Sequence, residues 1–470
     1  MVNENQLTVT AGQTATITSS LLQFTDNVST DAQETYTVTT PPADGTLLLN
    51  GSSTGTFTQA QIDAGDVSYR ETASGAISDS FTFNASDQGG NLTTAQQFQI
   101  NIRTMYVGTS GSDTFDFTAE GLTSADTVEG GAGYDYLVFT NAGTIAVGSN
   151  VSGIDEIDLA NGTNTLSLGP AAVANSDAKK MTIQGGSGND KVYAGNIYAG
   201  DTVVFDGGST SQTEYNAGAS AGNVKLTGGP GSDVFEFAAG KLTSSDTVSG
   251  GAGHDRIVFT TAGTSTIGSN VRGIDEIDLA NGTNALSLGP APVANSDNKS
   301  VTIQGGTGND TIYAGNVYAG DSVIFDGNGG KNSISGGQGN NTYDFHNIAG
   351  QTLTITNAFT GGTAAHGQLD FGAGIGDQKL WLIQSGNNLV ADVIGTKEQV
   401  TIDNWFGSNK SADLSEIAAA GLKLDSEVAQ LVSAMATYSA SNPGFNPTAS
   451  GALMPDNPTL QNAITSAWHA

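Results

Sequence analysis

Five nine-residue stretches carry the same groups at the same spacing, Gly-Gly-x-Gly-x-Asp-x-U-x with U apolar, at 130–138, 185–193, 228–236, 250–258 and 305–313. Glycine permits positive φ and close backbone approach. Gly130 and Gly133, Gly185 and Gly188, Gly228 and Gly231, Gly250 and Gly253, and Gly305 and Gly308 can therefore turn carbonyl oxygens inward. Each stretch adds one carboxylate, from Asp135, Asp190, Asp233, Asp255 or Asp310, and buries its U residue. Two such turns stacked one coil apart offer about six hard oxygens, which is the coordination demand of calcium; magnesium wants tighter octahedral geometry and more retained water. Calcium (Ca2+) is the expected metal. Its expected ligands are those five aspartates, with Asp113 of a degenerate copy at 108–116 next, and the carbonyls of the paired glycines. Without an ion the same residues read as Gly-Asp turns held by side-chain-to-backbone hydrogen bonds. Copies at 327–335 and 336–344 put Asn332 and Asn341 in the aspartate place and lose a charge.

The turns need a scaffold that stacks them. Residues 108–210 align without a gap onto 228–330, at about 70% identity, so one module of 120 residues is duplicated. The starts at 108 and 130, 228 and 250, and 305 and 327 are 22 residues apart, while 327 and 336 show the minimal nine. Two nine-residue units make one coil of a parallel β-roll, so the longer spacing is one coil with a small insertion. Between the turns lie short alternating strands such as Tyr136 to Phe139, Glu156 to Leu159 and Met181 to Ile183, bounded by Gly, Asn or Asp, which read as solenoid rungs. Residues 1–103 instead show period-two strands at even intervals, including Leu7 to Thr10, Tyr36 to Thr39, Ser80 to Phe83 and Gln97 to Ile102, the pattern of a small antiparallel sandwich. Past residue 350 the texture stays strand-like until Asp425 opens a helix with Val428, Leu431, Val432, Met435 and Tyr438 on one face. The stretch from Ser441 on, rich in Asn, Pro, Ser and Ala, is expected to be weakly ordered. The fold class is thus all-β: a parallel β-roll or β-solenoid built from a duplicated module, an antiparallel β-sandwich before it and a short helical C-terminal tail. The expected domains are 1–104, 105–227, 228–349, 350–424 and 425–470.

Composition narrows the function classes. The 34 Asp and 12 Glu stand against 15 Lys and Arg, for a formal charge of −31, which repels phosphate backbones and anionic lipid, so nucleic acid is excluded as a partner. Asp rather than Glu dominates because turns and hard-cation sites favour it over helix surfaces. With no Cys there are no disulfides, zinc–thiolate sites or cysteine nucleophile. No run of 18 apolar residues exists and the first residues show no basic start with an apolar stretch, so neither a membrane span nor a cleaved secretion signal is expected, and a start so near the first strand suggests truncation of a longer surface protein.

Catalytic patterns are lacking. The histidines at 254, 346, 366 and 469 do not make His-Glu-x-x-His. Gly51-Ser-Ser-Thr-Gly55 spells Gly-x-Ser-x-Gly but precedes a strand, so it reads as a hairpin loop and not a nucleophile elbow. His254 reads as a solvated turn residue. Asp155, Glu156 and Asp158, and their copies Asp275, Glu276 and Asp278, alternate along a strand as a solvated face does and are weaker metal candidates; Asp26, Asp31 and Asp87 read as turn residues.

The nine-residue units resemble the RTX (repeats-in-toxin, haemolysin-type) calcium-binding repeats of secreted bacterial proteins. Residues 380–406 are similar to the domain that often follows those repeats, and the helix through Leu431 to Ala436 resembles their C-terminal tail. Residues 1–103, notably Phe57 to Ile62, Asp66 to Tyr69 and Asp79 to Phe83, are similar to cadherin-like repeats of chondroitin-sulfate-proteoglycan type. The RTX resemblance implies type I export, with the secretion machinery reading an uncleaved C-terminal signal, and an extracellular or cell-surface location. Members of that family carry uninterrupted arrays, whereas single turns here are set into a longer module. The expected role is a non-enzymatic, calcium-binding structural protein that self-associates into a surface layer, fibre or matrix. The alternatives are an adhesin whose sandwich binds a cell-surface glycan, or the non-catalytic C-terminal part of a larger secreted protein. The three tryptophans, Trp381, Trp405 and Trp468, all lie near the C-terminus, which counts against a glycan site in the sandwich.

Overall fold

Period-two alternation through residues 1–103 becomes two facing sheets in the computed structural model of the chain, which describes residues 2–25, 29–73, 76–176, 178–195, 197–208, 212–218, 221–294, 296, 299–315, 318, 320–337, 339–346, 348–356, 367–407 and 414–470. Two units divide it: Met1–Leu137 with Ala146–Asp155 and Asn175–Asp177, and Val138–Ile145 with Glu156–Ala174 and Ala178–Ala470.

In the first unit a five-stranded sheet runs Leu7–Thr10, Gln96–Arg103, Ser78–Ser86, Thr35–Thr40, Thr56–Thr58, and a four-stranded one runs Thr14–Thr16, Val67–Glu71, Gly45–Leu49, Ser52–Ser53. All their pairings are antiparallel except Leu7–Thr10 against Gln96–Arg103. Alternate residues point inward, and Tyr36, Phe57, Phe81, Phe83 and Phe98 fill the core. The period-two pattern does not announce one element, the short helix Gln59–Asp63. Thr58 caps it and Gln61 reaches back to the cap, a Thr-x-x-Gln capping box. Gly51-Ser-Ser-Thr-Gly55 forms a tight hairpin, with Asn50 and Gly51 at positive φ joining Gly45–Leu49 to Ser52–Ser53, so no strand-to-helix elbow exists there. Past the sandwich, Met105–Val107, Thr127–Glu129 and Val151–Ser152 pair in parallel as the first solenoid strands.

The second unit is a parallel solenoid. Leu166, Val192, Tyr215, Phe235, Ile257, Ile277, Ile303, Phe325, Tyr343, Leu369 and Ile417 pair in register from strand to strand and are all buried. Three of them, Val192, Phe235 and Ile257, are U residues of the nine-residue pattern, so the apolar position of each repeat builds the core column. Coil length varies around that column without breaking it. Residues 18 apart pair at Phe325 and Tyr343, where the repeats stand in tandem, and residues 26 apart pair at Ile277 and Ile303. The extra residues leave through the turns, so the stack of rungs is preserved.

Set between the last parallel rungs, the hairpin Leu380–Ser385/Asn388–Val393 packs on the helix Val428–Ser441, whose Val428, Leu431, Val432 and Met435 are buried as its periodicity predicts. The structure departs from expectation beyond Ser441. Residues Pro458–Ala467 form a helix capped by Asn457, with Leu460 and Ile464 buried, and His469 exchanges backbone hydrogen bonds with Lys423. An Asn-Pro start followed by apolar residues four apart is a helix signal, which the Asn- and Pro-rich composition obscures.

Candidate metal centre

The glycine turns stack corner on corner, and stacking creates the site. In the second unit a Cβ built on Gly185 would lie 3.0 Å from the carbonyl oxygen of Gly207, one coil on, and one built on Gly305 would lie 2.8 Å from that of Gly327. At Gly228 and Gly250 it would collide with the carbonyls of Gly250 and Gly273, and in the first unit Gly130 meets Gly153 in the same way. The third glycine of the repeat presses on the preceding coil: Gly133 on the Gly111 carbonyl, Gly188 on Gly162, Gly253 on Gly231 and Gly308 on Gly282. Only glycine fits such spacing, because any Cβ would occupy the place of a neighbouring backbone oxygen.

The five aspartates lie inside these stacks. Asp135, Asp190, Asp233, Asp255 and Asp310 are at most 1% exposed, whereas Asp113 is half-buried. In each buried aspartate one carboxylate oxygen ties rung to rung. Asp113 donates its N–H to Asp135 Oδ1 at 2.8 Å, Asn164 to Asp190 Oδ1 at 3.2 Å, Thr213 to Asp233 Oδ1 at 2.6 Å, Asp233 to Asp255 Oδ1 at 2.9 Å, and Asn284 to Asp310 Oδ1 at 3.2 Å.

The second oxygen is the chemically open one. Oδ2 of Asp190 and Asp233 is buried and accepts no hydrogen bond, whereas the Asp310 carboxylate also has the Gly306 N–H beside it. Oδ2 faces the first glycine of its own turn, 3.0 Å from the Cβ place of Gly185 for Asp190 and 2.9 Å from that of Gly305 for Asp310. A carboxylate oxygen and the next coil's carbonyl therefore border one glycine-vacated spot, and at Asp190 that carboxylate oxygen has no donor. Burial pushes the Asp190, Asp233 and Asp310 carboxyls above their ordinary range, against the lowering effect of hydrogen bonds from Asn164, from Thr213, and from Asn284 and Gly306 respectively. A buried carboxylate beside carbonyl oxygens, unpaired with any base, fits a hard cation. Asp113 differs: its Oδ2 already accepts from Thr109 N–H and Oγ1 at 2.6 and 2.9 Å.

The asparagine turns are an internal comparison. Asn332 Nδ2 donates to the Gly327 and Gly329 carbonyls at 2.9 and 2.7 Å, and Asn164 and Asn284 Nδ2 donate to the carbonyls of Ala160 and Ala280 at 2.7 and 2.8 Å. The amide NH2 thus occupies the place of the open oxygen and satisfies the turn's own carbonyls. These turns close without an ion.

Stacking also supplies partners that the motif search misses. Gly207-Gly208 is a turn whose register residue is Thr213, six positions on instead of five, so an insertion and a missing acid conceal it. Leu159 to Asn164 keeps only the third glycine of the pattern, Gly162, and has Asn164 in the aspartate place. Asp155 and Asp275, expected on a solvated face, instead accept from the N–H groups of Asp135 and Asp255 at 3.1 and 2.9 Å and so extend the ladder. The outward positions do follow the solvated-face reading: His254 is exposed and 2.9 Å from Glu276, and Arg256 pairs with Asp278 at 3.1 Å. In the sandwich, Asp87 Oδ1 takes the Asn91 N–H as a turn residue does, and Asp26 lies outside the described residues. Trp381 and Trp468 are buried and Trp405 is half-buried; among the described residues the exposed aromatics are Tyr134, Tyr193, Tyr198, Tyr313 and Tyr318, all on the solenoid.

Family comparison agrees with this geometry. The RTX calcium-binding nonapeptide repeat matches residues 118–138, 182–196, 219–241, 243–259, 302–316 and 320–345. The chain carries RTX calcium-binding repeats. Residues 1–102 match the cadherin-like family, so a cadherin-like domain precedes the repeats. Among curated proteins none matches the chain. Calcium is the ion such repeats bind, and RTX proteins are typically secreted by type I systems. No described helix is long and apolar enough to cross a membrane.

Proposed function

We propose that the protein is a non-enzymatic, calcium-loaded structural component of the bacterial surface or extracellular matrix, exported by type I secretion through its C-terminal segment and self-associating outside the cell. In this reading residues 1–104 are the cadherin-like sandwich, 105–227 and 228–349 the two RTX modules, 350–424 the following β domain and 425–470 the secretion tail. The observation that carries it is the donorless, buried Oδ2 of Asp190 and Asp233 inside stacked glycine turns. Bound calcium would supply the positive charge that these oxygens and the neighbouring carbonyls lack. Asp135, Asp190, Asp233, Asp255 and Asp310 would hold it, with glycine carbonyls beside them. At the low calcium of the cytosol a chain of charge −31 would stay unfolded and exportable. Outside, binding free energy becomes folding free energy, because the site exists only in the folded chain.

Circular dichroism with particle sizing during a calcium titration, with magnesium as control, tests the folding step. A transition to β structure and a smaller radius with calcium alone is expected; a chelated chain equally folded and heat-resistant would refute it. Electron micrographs with and without calcium test assembly, for which filaments or sheets are the expected result. An adhesive role through a glycan is the competing reading, tested by glycan binding of residues 1–104 within the full chain.

A further inference from the structure

Four other turns in the solenoid share one construction, and none belongs to the glycine pattern. Thr123 to Asp126, Tyr198 to Asp201 and Thr243 to Asp246 each deliver the chain into a strand, and Asp321, bonded back to Tyr318, stands at the same place before Ser322–Asp326. In each the aspartate N–H donates to the carbonyl of the residue three before it, at 3.1 to 3.2 Å. All four aspartates are at most 4% exposed.

Two of these turns are closed. Asp126 Oδ2 accepts the Thr123 N–H and Oγ1 at 2.9 and 2.7 Å, and its Oδ1 takes the Thr104 N–H at 3.2 Å. Asp246 repeats this with Thr243, at 2.7 and 2.9 Å, and with Val224 at 2.9 Å. Every oxygen has its donor.

In the other two a tyrosine stands where the threonine was. It has no hydroxyl on its Cβ to give the carboxylate, and its side chain is in solvent, 53% exposed at Tyr198 and 56% at Tyr318. The consequence is the same both times: Oδ2 of Asp201 and of Asp321 is buried without a hydrogen-bond partner. Among the described residues neither carboxylate enters an ion pair. Next to the first of these turns, a Cβ built on Gly222 would lie 2.5 Å from Ile197 Cγ2 and 2.8 and 2.9 Å from the carbonyl oxygens of Tyr198 and Asp201, so the backbone passes close there. Each of those carbonyls accepts one backbone N–H, at 3.1 and 2.9 Å, and retains a second lone pair. A buried carboxylate oxygen with neither donor nor base, recurring at the same place in both modules, asks for a hard cation.

We infer that Asp201 and Asp321 each anchor a divalent cation, calcium by its preference for hard oxygen ligands, in a second class of site opened by the tyrosine at the head of the turn. These sites stand apart from the glycine turns in sequence and in ligand residues, so they hold or fail independently of the function proposed above.

The test counts calcium bound to the full chain by equilibrium dialysis with metal analysis. Asp201→Asn with Asp321→Asn is expected to bind two ions fewer than the unaltered chain. Tyr198→Thr with Tyr318→Thr, which restores the hydroxyl found in the closed turns, is expected to lose the same two ions while remaining folded by circular dichroism. Asp190→Asn with Asp310→Asn removes ions from the glycine turns and leaves these two in place. An unchanged count in the folded tyrosine variant overturns the inference, even where the aspartate variant does not fold. Two ions retained when all glycine-turn binding has failed would uphold it and refute the glycine-turn reading alone.

Discussion

The backbone N–H of Asp233 donates to Oδ1 of Asp255, 22 residues further along the chain, at 2.9 Å. Two aspartates of successive repeats are thereby joined through one oxygen of the second, while Oδ2 of the first has no donor at all. Asp190 and Asp233 thus each have a structural oxygen and an open one, and substitutions can separate the two.

Alanine removes both. At Asp190 and Asp310 it deprives Asn164 and Asn284 of their N–H acceptor as well as removing Oδ2. An unsatisfied buried donor costs about 1–3 kcal/mol, roughly five- to more than a hundredfold in an equilibrium. Asp190→Ala with Asp310→Ala should raise the calcium midpoint of folding by at least several-fold in a titration followed by circular dichroism. An unchanged midpoint rejects both residues as ligands.

Asparagine keeps the structural oxygen and replaces Oδ2 with a donor. Asn332 shows the outcome, its Nδ2 reaching the carbonyls of Gly327 and Gly329. Asp310→Asn should therefore bind less calcium yet depend less on it, folding at a lower calcium concentration than Asp310→Ala. Asn332→Asp should do the opposite, destabilising the calcium-free chain and steepening its response to the ion. Identical titrations for Asp310→Asn and Asp310→Ala would show that no amide lock forms.

What could be read in advance divides along a physical line. The turn aspartates and the buried U residues were legible because each repeat carries them at fixed local spacing, and the all-β solenoid followed from that spacing. Which turn stacks on which was not, since coil length changes from 18 to 26 residues and the partner of Asp233 is a Thr213 turn that breaks the pattern. Asp155 and Asp275 were misplaced on the solvated face for the same reason: alternation along one strand says nothing of the N–H that arrives from the coil before. The helix Pro458–Ala467 was hidden by composition, although its Asn457 cap was visible.

Acid should act in two opposing ways. Burial raises the Asp190, Asp233 and Asp310 carboxyls, and Asp344 is pushed up to about 6 by burial and then by the Asp370 and Asp326 carboxylates, with His346 opposing. A carboxyl with a higher pKa folded than unfolded contributes stability below its unfolded value, near 4, and loses it as pH rises through the folded value. The calcium-free chain should thus be more compact at pH 5 than at pH 7.5, while the calcium midpoint climbs on acidification because protons compete for the same oxygens. Particle sizing in chelator across that range checks the first half and calcium titrations at both pH values the second. A calcium-free chain that expands on acidification would contradict the assignment of these groups.

The first glycine of a repeat offers the sharpest steric test. Gly250 is not at positive φ, so alanine there introduces no backbone strain, only a Cβ that collides with the carbonyl of Gly273 and with Asp255 Oδ2. The carbonyl belongs to a rung fixed by its neighbours and cannot withdraw, so the turn must open, at the 1–3 kcal/mol or so typical of overpacking, and the oxygens that would share an ion move apart. Gly55 has nothing within 4 Å of its Cβ place and serves as the control. Gly250→Ala should unfold at a temperature several degrees lower than Gly55→Ala, and the gap should widen in saturating calcium, because the variant has lost a site as well as a fit. A gap that calcium closes would mean that the turn tolerates the methyl group, and that the glycine is there for some reason other than the close approach of Gly273.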